Sequence, residues 1–129
     1  MSDKRAVRTE NAPAPFQGAP YSQGVVSGDL VYVSGQLGID PAQGQVVEGG
    51  IVPQTEQVMK NLSAILGEAG CRLDDVVMTS IYLIDLQDFQ AMNEVYASHL
   101  TEPYPARATV QIAALPSGAR IEIAVVARK

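Results

Sequence analysis

The stretch Val76-Val77-Met78-Thr79-Ser80-Ile81-Tyr82-Leu83-Ile84 decides the fold. It is β-branched and aromatic, and apolar at both parities apart from Thr79 and Ser80. A strand with one wet face alternates, whereas one covered on both faces does not, so 76–84 predicts a central strand. Segments of helical period flank it. Upstream, Thr55, Val58, Leu62, Ile65, Leu66 and Ala69 fall on one face of a helix over 53–69, with Pro53 in its first turn and Gly70 at its exit. Downstream, Phe89, Met92, Tyr96 and Leu100 line a second helix, for which Asp85 and Asp88 are candidate caps.

Further out, the period returns to two. Gly24–Val26 and Leu30–Ser34 read as a hairpin turning at Ser27-Gly28-Asp29, with Ser34-Gly35-Gln36-Leu37 ending its second strand. A turn at Pro41–Gly44 leads into a short strand, 45–48. Strands over 108–115 and 119–127 close the chain, split by Pro116-Ser117-Gly118. The N-terminal 20 residues are polar and proline-rich, with an edge strand expected around Val7. The order β-β-β-α-β-α-β-β predicts an α+β domain spanning 1–129: a mixed sheet with two helices packed on one face. Val110, Ile112, Ile121, Ile123 and Val125 offer more apolar surface than two short helices need. A bare apolar sheet face of this kind predicts a homo-oligomer.

Composition narrows the function. With 129 residues, 47% of them hydrophobic and 18% charged, the chain can build a real core. The net charge of −5 argues against a nucleic-acid partner; Lys4, Arg5 and Arg8 read as a solvated arm. One cysteine, Cys71, leaves no intrachain disulfide and reads as an inert thiol; one histidine, His99, leaves a zinc site or a Ser-His-Asp triad poorly supported. No apolar run approaches the ~20 residues of a membrane span, and no secretory signal is expected. The expectation is a cytoplasmic protein with no membrane partner.

Two charged residues stand out. Arg107, in Tyr104-Pro105-Ala106-Arg107, carries a planar fork of donors that fits a carboxylate. Glu122, in Ile121-Glu122-Ile123, is costly to bury without a partner or a task. Together they suggest a pocket that holds a carboxylate substrate and positions a water; the alternative is an ion pair or two solvated strand residues. If 108–115 and 119–127 formed a plain hairpin, Glu122 would face Ile112 and lie on the order of 16 Å from Arg107. The two then share a site only if another strand resets the register or the site lies between subunits.

Other positions are compatible with that pocket. Gly35 allows a close backbone approach and an N–H donor, or simply ends a strand. Tyr21 offers a pocket wall or core filling. Asn93 is poorly suited to mid-helix, so it supports a loop or reaches a pocket. Thr109 shares a strand face with Arg107 if the strand begins that early.

The stretches Glu10-Asn11-Ala12-Pro13, Pro20-Tyr21-Ser22-Gln23-Gly24, Val33-Ser34-Gly35-Gln36, Asp85-Leu86-Gln87-Asp88-Phe89, Asn93-Glu94-Val95-Tyr96, Tyr104-Pro105-Ala106-Arg107 and Ile121-Glu122-Ile123 run in order over nearly the whole chain. As a set they resemble the RidA/YjgF family of reactive intermediate deaminases. The resemblance implies a chorismate-mutase-like fold and a homotrimer with sites between subunits. It also implies hydrolysis of 2-imino and 2-enamino acids, such as 2-aminoacrylate and its imine tautomer 2-iminopropanoate, to 2-oxo acids and ammonia, without metal or cofactor. Carried over, Arg107 binds the substrate carboxylate, aided by the Gly35 N–H. Glu122 handles the attacking water and the proton, and Tyr21, Ser34 and Asn93 line the pocket. Two departures follow: Thr109 stands where many members have cysteine, and the loops before Arg107 and at Gly18-Ala19-Pro20 differ in length. A non-catalytic trimer binding 2-oxo acids, and a ribonuclease or translation inhibitor, are the competing functions.

Overall fold

The computed structural model describes residues 4–129. Strands β1 (Arg5–Val7), β2 (Gly24–Ser27) and β3 (Leu30–Leu37) come first, then a small hairpin of β4 (Ile39–Asp40) and β5 (Gln45–Val46). Helix α1 (Ile51–Glu68) follows, then β6 (Val76–Leu83), α2 (Phe89–Ser98), β7 (Ala106–Gln111) and β8 (Ile121–Arg128). The main sheet has the order β1-β2-β3-β8-β6-β7. Only β6 and β7 run parallel, joined through α2 as a βαβ unit. The last strand, β8, inserts antiparallel between β3 and β6.

Parity on these strands separates core from open face. Ile121, Ile123 and Val125 pair with Leu83, Ile81 and Thr79 and are buried. They pack with Val58, Leu62, Ile65 and Leu66 of α1, all at 0% exposure. Each such side chain contributes about 1.5–3 kcal/mol relative to exposure. The other face carries Ala106, Ala108 and Val110 of β7, Ser80 and Tyr82 of β6, and Ala124 and Val126 of β8. From sequence, the three isoleucine and valine positions of β8 are expected partly on this open face. Register sends all three to the helices and leaves smaller residues outside. The central strand β6 is likewise covered on one face, with Tyr82 and Ser80 half-buried on the other.

Helix α1 begins two residues earlier than its periodicity predicts and ends as expected. Gly70 at φ +83° allows Cys71 N–H to reach Leu66 O (2.8 Å) and Gly70 N–H to reach Gly67 O (3.0 Å). Cys71 is therefore the buried residue that closes this turn, and burial pushes its thiol pKa up. Asn61, at 0% exposure, donates to Leu37 O (3.1 Å) and Ile39 O (2.9 Å), tying the end of β3 to α1. The basic N-terminal segment is not simply an arm: β1 pairs with β2 and buries Val7, while Arg5 and Arg8 stay exposed.

Candidate active site

Helix α2 presents Phe89, Asn93 and Tyr96 on one face, at the i, i+4, i+7 spacing that stacks side chains. Arg107 of β7 lies against that face, in register with Thr79. Its Nη1 donates to Asn93 Oδ1 at 2.7 Å. Its Cζ sits 5.4 Å from the Phe89 ring centroid and 5.2 Å from that of Tyr96. A guanidinium held by one hydrogen bond and two π faces is oriented without being neutralised. Arg107 takes no part in the ion pairs His99–Glu56, Arg120–Asp88 and Arg128–Asp29. Most of its donors thus stay open to a ligand carboxylate.

Tyr96 is fixed in turn, its hydroxyl 2.8 Å from Thr79 Oγ1. Burial raises its pKa, while the Thr79 hydrogen bond and the Arg107 charge pull the other way. Beyond Arg107 on the same strand face, the Thr109 hydroxyl is buried without a hydrogen-bond partner among the described residues.

Glu122 belongs to a different part of the molecule. Between β3 and β8 the register jumps from Val33–Val125 to Gln36–Ile123, a bulge that takes Ser34 and Gly35 out of step. Ser34 uses the freedom to donate its hydroxyl to Ser22 O (2.6 Å), holding the segment that carries Tyr21. Gly35 packs directly on the Glu122 side chain; a Cβ there would lie 2.6 Å from Glu122 Cδ. Glu122, Gly35 and Tyr21 line a cavity of about 120 Å³ whose other walls include Phe16, Leu37 and Pro116. The Tyr21 hydroxyl accepts from Phe16 N–H at 2.6 Å, which folds the loop over this cavity. Burial raises the Glu122 pKa. A larger cleft of about 800 Å³ along the N-terminal segment shares Tyr21 but contains neither Glu122 nor Arg107, so size alone does not locate the chemistry.

The structure therefore brings together Tyr21, Ser34, Gly35 and Glu122 in one group, and Arg107, Asn93 and Thr109 in another. A strand does intervene between β7 and β8, so the plain-hairpin register is wrong: Glu122 pairs with Tyr82, and Tyr82 with Val110. Yet Arg107, three residues from Val110, has the opposite parity and points to the helix side. The two charged residues do not meet within one chain. From sequence, Phe89 and Tyr96 read as plain core; their spacing with Asn93 is the sign of a clamp.

A family model described as Endoribonuclease L-PSP matches residues 9–129. The chain belongs to the RidA/YjgF family. A RutC family protein of Saccharolobus solfataricus is 48% identical over 98% of both chains. The human 2-iminobutanoate/2-iminopropanoate deaminase is 44% identical over 96% of this chain and 89% of its own. The crystal structure of RidA from an Antarctic Psychrobacter superposes with a TM-score of 0.92 at 46% identity, covering 97% of this chain and 99% of that one. Among the described residues of this RidA/YjgF member, no helix is long and apolar enough to cross a membrane. Among the described residues, no group of three or more His, Cys, Asp or Glu is placed to hold a metal ion.

Proposed function

We propose that the chain hydrolyses 2-imino and 2-enamino acids to 2-oxo acids and ammonia, acting as one unit over its full length. The observation that carries this reading is the Arg107 guanidinium, oriented by Asn93, Phe89 and Tyr96 with donors to spare. It suits a carboxylate beside the reacting carbon, and the 44% identity to a named imine deaminase supports the same chemistry.

In this mechanism Arg107 holds the substrate carboxylate bidentately. The Gly35 backbone N–H adds a donor, and Tyr21 and Ser34 shape the wall. Glu122 takes a proton from water as its oxygen bonds to the imine carbon, and the C=N π electrons take up a proton at nitrogen. That proton is the one Glu122 has just taken, so the carbinolamine is neutral; Glu122 then removes its hydroxyl proton as the carbonyl forms and passes it to the leaving nitrogen, which departs as ammonia. An imine is already electrophilic, so positioning supplies much of what is needed. Thr109 contributes through its backbone, which makes its exchange for cysteine tolerable.

Because Arg107 and Glu122 face opposite sides of the sheet, the working site is assembled between copies. The small-residue open face is the surface where copies pack, and a chorismate-mutase-like homotrimer is the arrangement we adopt. The net charge of −5 works against gripping a polyanion, so ribonuclease action is not the reading adopted.

The test is a coupled assay. An amino-acid oxidase generates imino acids in situ, and semicarbazide traps them. Suppression of semicarbazone by the wild type but not by Arg107→Ala supports the deaminase; binding of 2-oxo acids without suppression favours a ligand-binding trimer instead.

A further inference from the structure

Asp88 stands at the N-terminus of α2, where an aspartate ordinarily caps the helix, yet its side chain makes no cap. Its Oδ2 instead accepts from Arg120 Nη2 (2.8 Å) and Nε (2.9 Å). The carboxylate side chain is only 15% exposed, which lifts this pair above an ordinary surface ion pair. Arg120 is itself a junction. Its backbone N–H donates to Gln54 Oε1 of α1 at 2.8 Å, and its carbonyl accepts from Ile84 N–H at the end of β6 at 3.1 Å. Two residues later the same strand carries Glu122.

The residue after Asp88 is Phe89, whose ring packs on the Arg107 guanidinium, and one turn further is Asn93, its hydrogen-bond acceptor. We propose that Asp88 and Arg120 are a positioning pair for Arg107, locking the start of α2 to the root of β8 so that the Phe89–Asn93–Tyr96 clamp holds the guanidinium in its carboxylate-binding orientation. This rests on the deaminase reading for its kinetic consequence, but not for its structural one.

Loosening the start of α2 frees Phe89 first and Asn93 next, while Tyr96 stays anchored by Thr79. The guanidinium keeps its charge but loses its direction. That is a loss of carboxylate binding common to ground and transition states, so KM rises and kcat does not fall.

The experiment compares Arg120→Gln, Asp88→Asn and Arg120→Lys in the full chain. It reads the Arg107 Nε–Hε NMR correlation, which the two rings at 5.4 and 5.2 Å are expected to displace in the wild type, together with KM and kcat for a trapped imine. The glutamine and asparagine variants are expected to move the Arg107 signal toward that of free arginine and to raise KM about tenfold, with kcat within about twofold. Arg120→Lys, which keeps the charge, is expected to restore most of both. An unmoved Arg107 signal in Arg120→Gln and Asp88→Asn, whatever happens to melting temperature, overturns the proposal. Should the wild type turn over no imine, the deaminase reading fails and the NMR signal still decides the pair.

Discussion

Arg107 and Glu122 occupy opposite faces of one sheet: Glu122 is in register with Tyr82 and Val110 across two strands, and Arg107 lies three residues from Val110 with the other parity. Three residues of strand span about 10 Å, and two strand spacings add about as much sideways. No side-chain rotation closes that gap through the sheet.

Arg107 is the residue whose loss should matter most. Arg107→Ala is expected to lower kcat/KM by roughly a hundredfold, since a charge-assisted bidentate contact disappears. Arg107→Lys should recover little, because a point charge neither forks onto a carboxylate nor stacks between Phe89 and Tyr96 in the same way. Steady-state kinetics on a trapped imine checks both.

Gly35→Ala is expected to abolish most activity. Its Cβ would lie 2.6 Å from Glu122 Cδ, so either the carboxylate or the β3 bulge must move. Overpacking of this kind costs about 1–3 kcal/mol in stability. Thermal unfolding and turnover should fall together, and a variant of unchanged melting temperature and full activity would remove Gly35 from the site.

Burial raises the Glu122 pKa, and the sign of its effect follows. The folded chain holds the Glu122 proton to higher pH than the unfolded chain, so its contribution to stability is fully present below the unfolded pKa, about 4.3. It is lost as pH rises through the folded value. Glu122→Gln should therefore be more stable than wild type at neutral pH and converge with it in acid. If Glu122 is the base, the wild-type kcat should also show an acid limb above the ordinary glutamate range, while the glutamine variant turns over little at any pH. Melting curves and rate profiles from pH 3 to 8 measure both.

Thr109→Val removes a buried hydroxyl that has no hydrogen-bond partner among the described residues. It should stabilise the chain by about 1 kcal/mol without changing turnover, provided the position acts through its backbone. A loss of turnover with the stability gain would place the hydroxyl on the substrate.

Much of this was legible in the sequence where periodicity is strong. The helix over 53–69, the strand over 76–84 and the Gly70 exit all appear within a residue or two of their expected bounds. Short elements carry too few residues to show a period, which is why β4 went unseen. Capping chemistry misled as well: Asp85 accepts from Gln87 N–H in a turn before α2, and Asp88 turns to Arg120. The residue types of the site were readable because arginine after a proline loop and glutamate inside an apolar strand are both costly choices. Their separation was expected from a plain hairpin, but the opposite faces they occupy were not, because face assignment depends on register, and register on the insertion of β6 between β7 and β8.

The central claim is that the site forms between copies, and complementation tests it most directly. Arg107→Ala and Glu122→Ala chains, each inactive alone, are mixed, co-refolded and assayed together. A site that takes Arg107 from one copy and Glu122 from another predicts recovery of about a quarter of the wild-type activity at equal mixing, the chance that an interface draws both intact residues. Verified mixed assemblies that stay as inactive as either parent would contradict it.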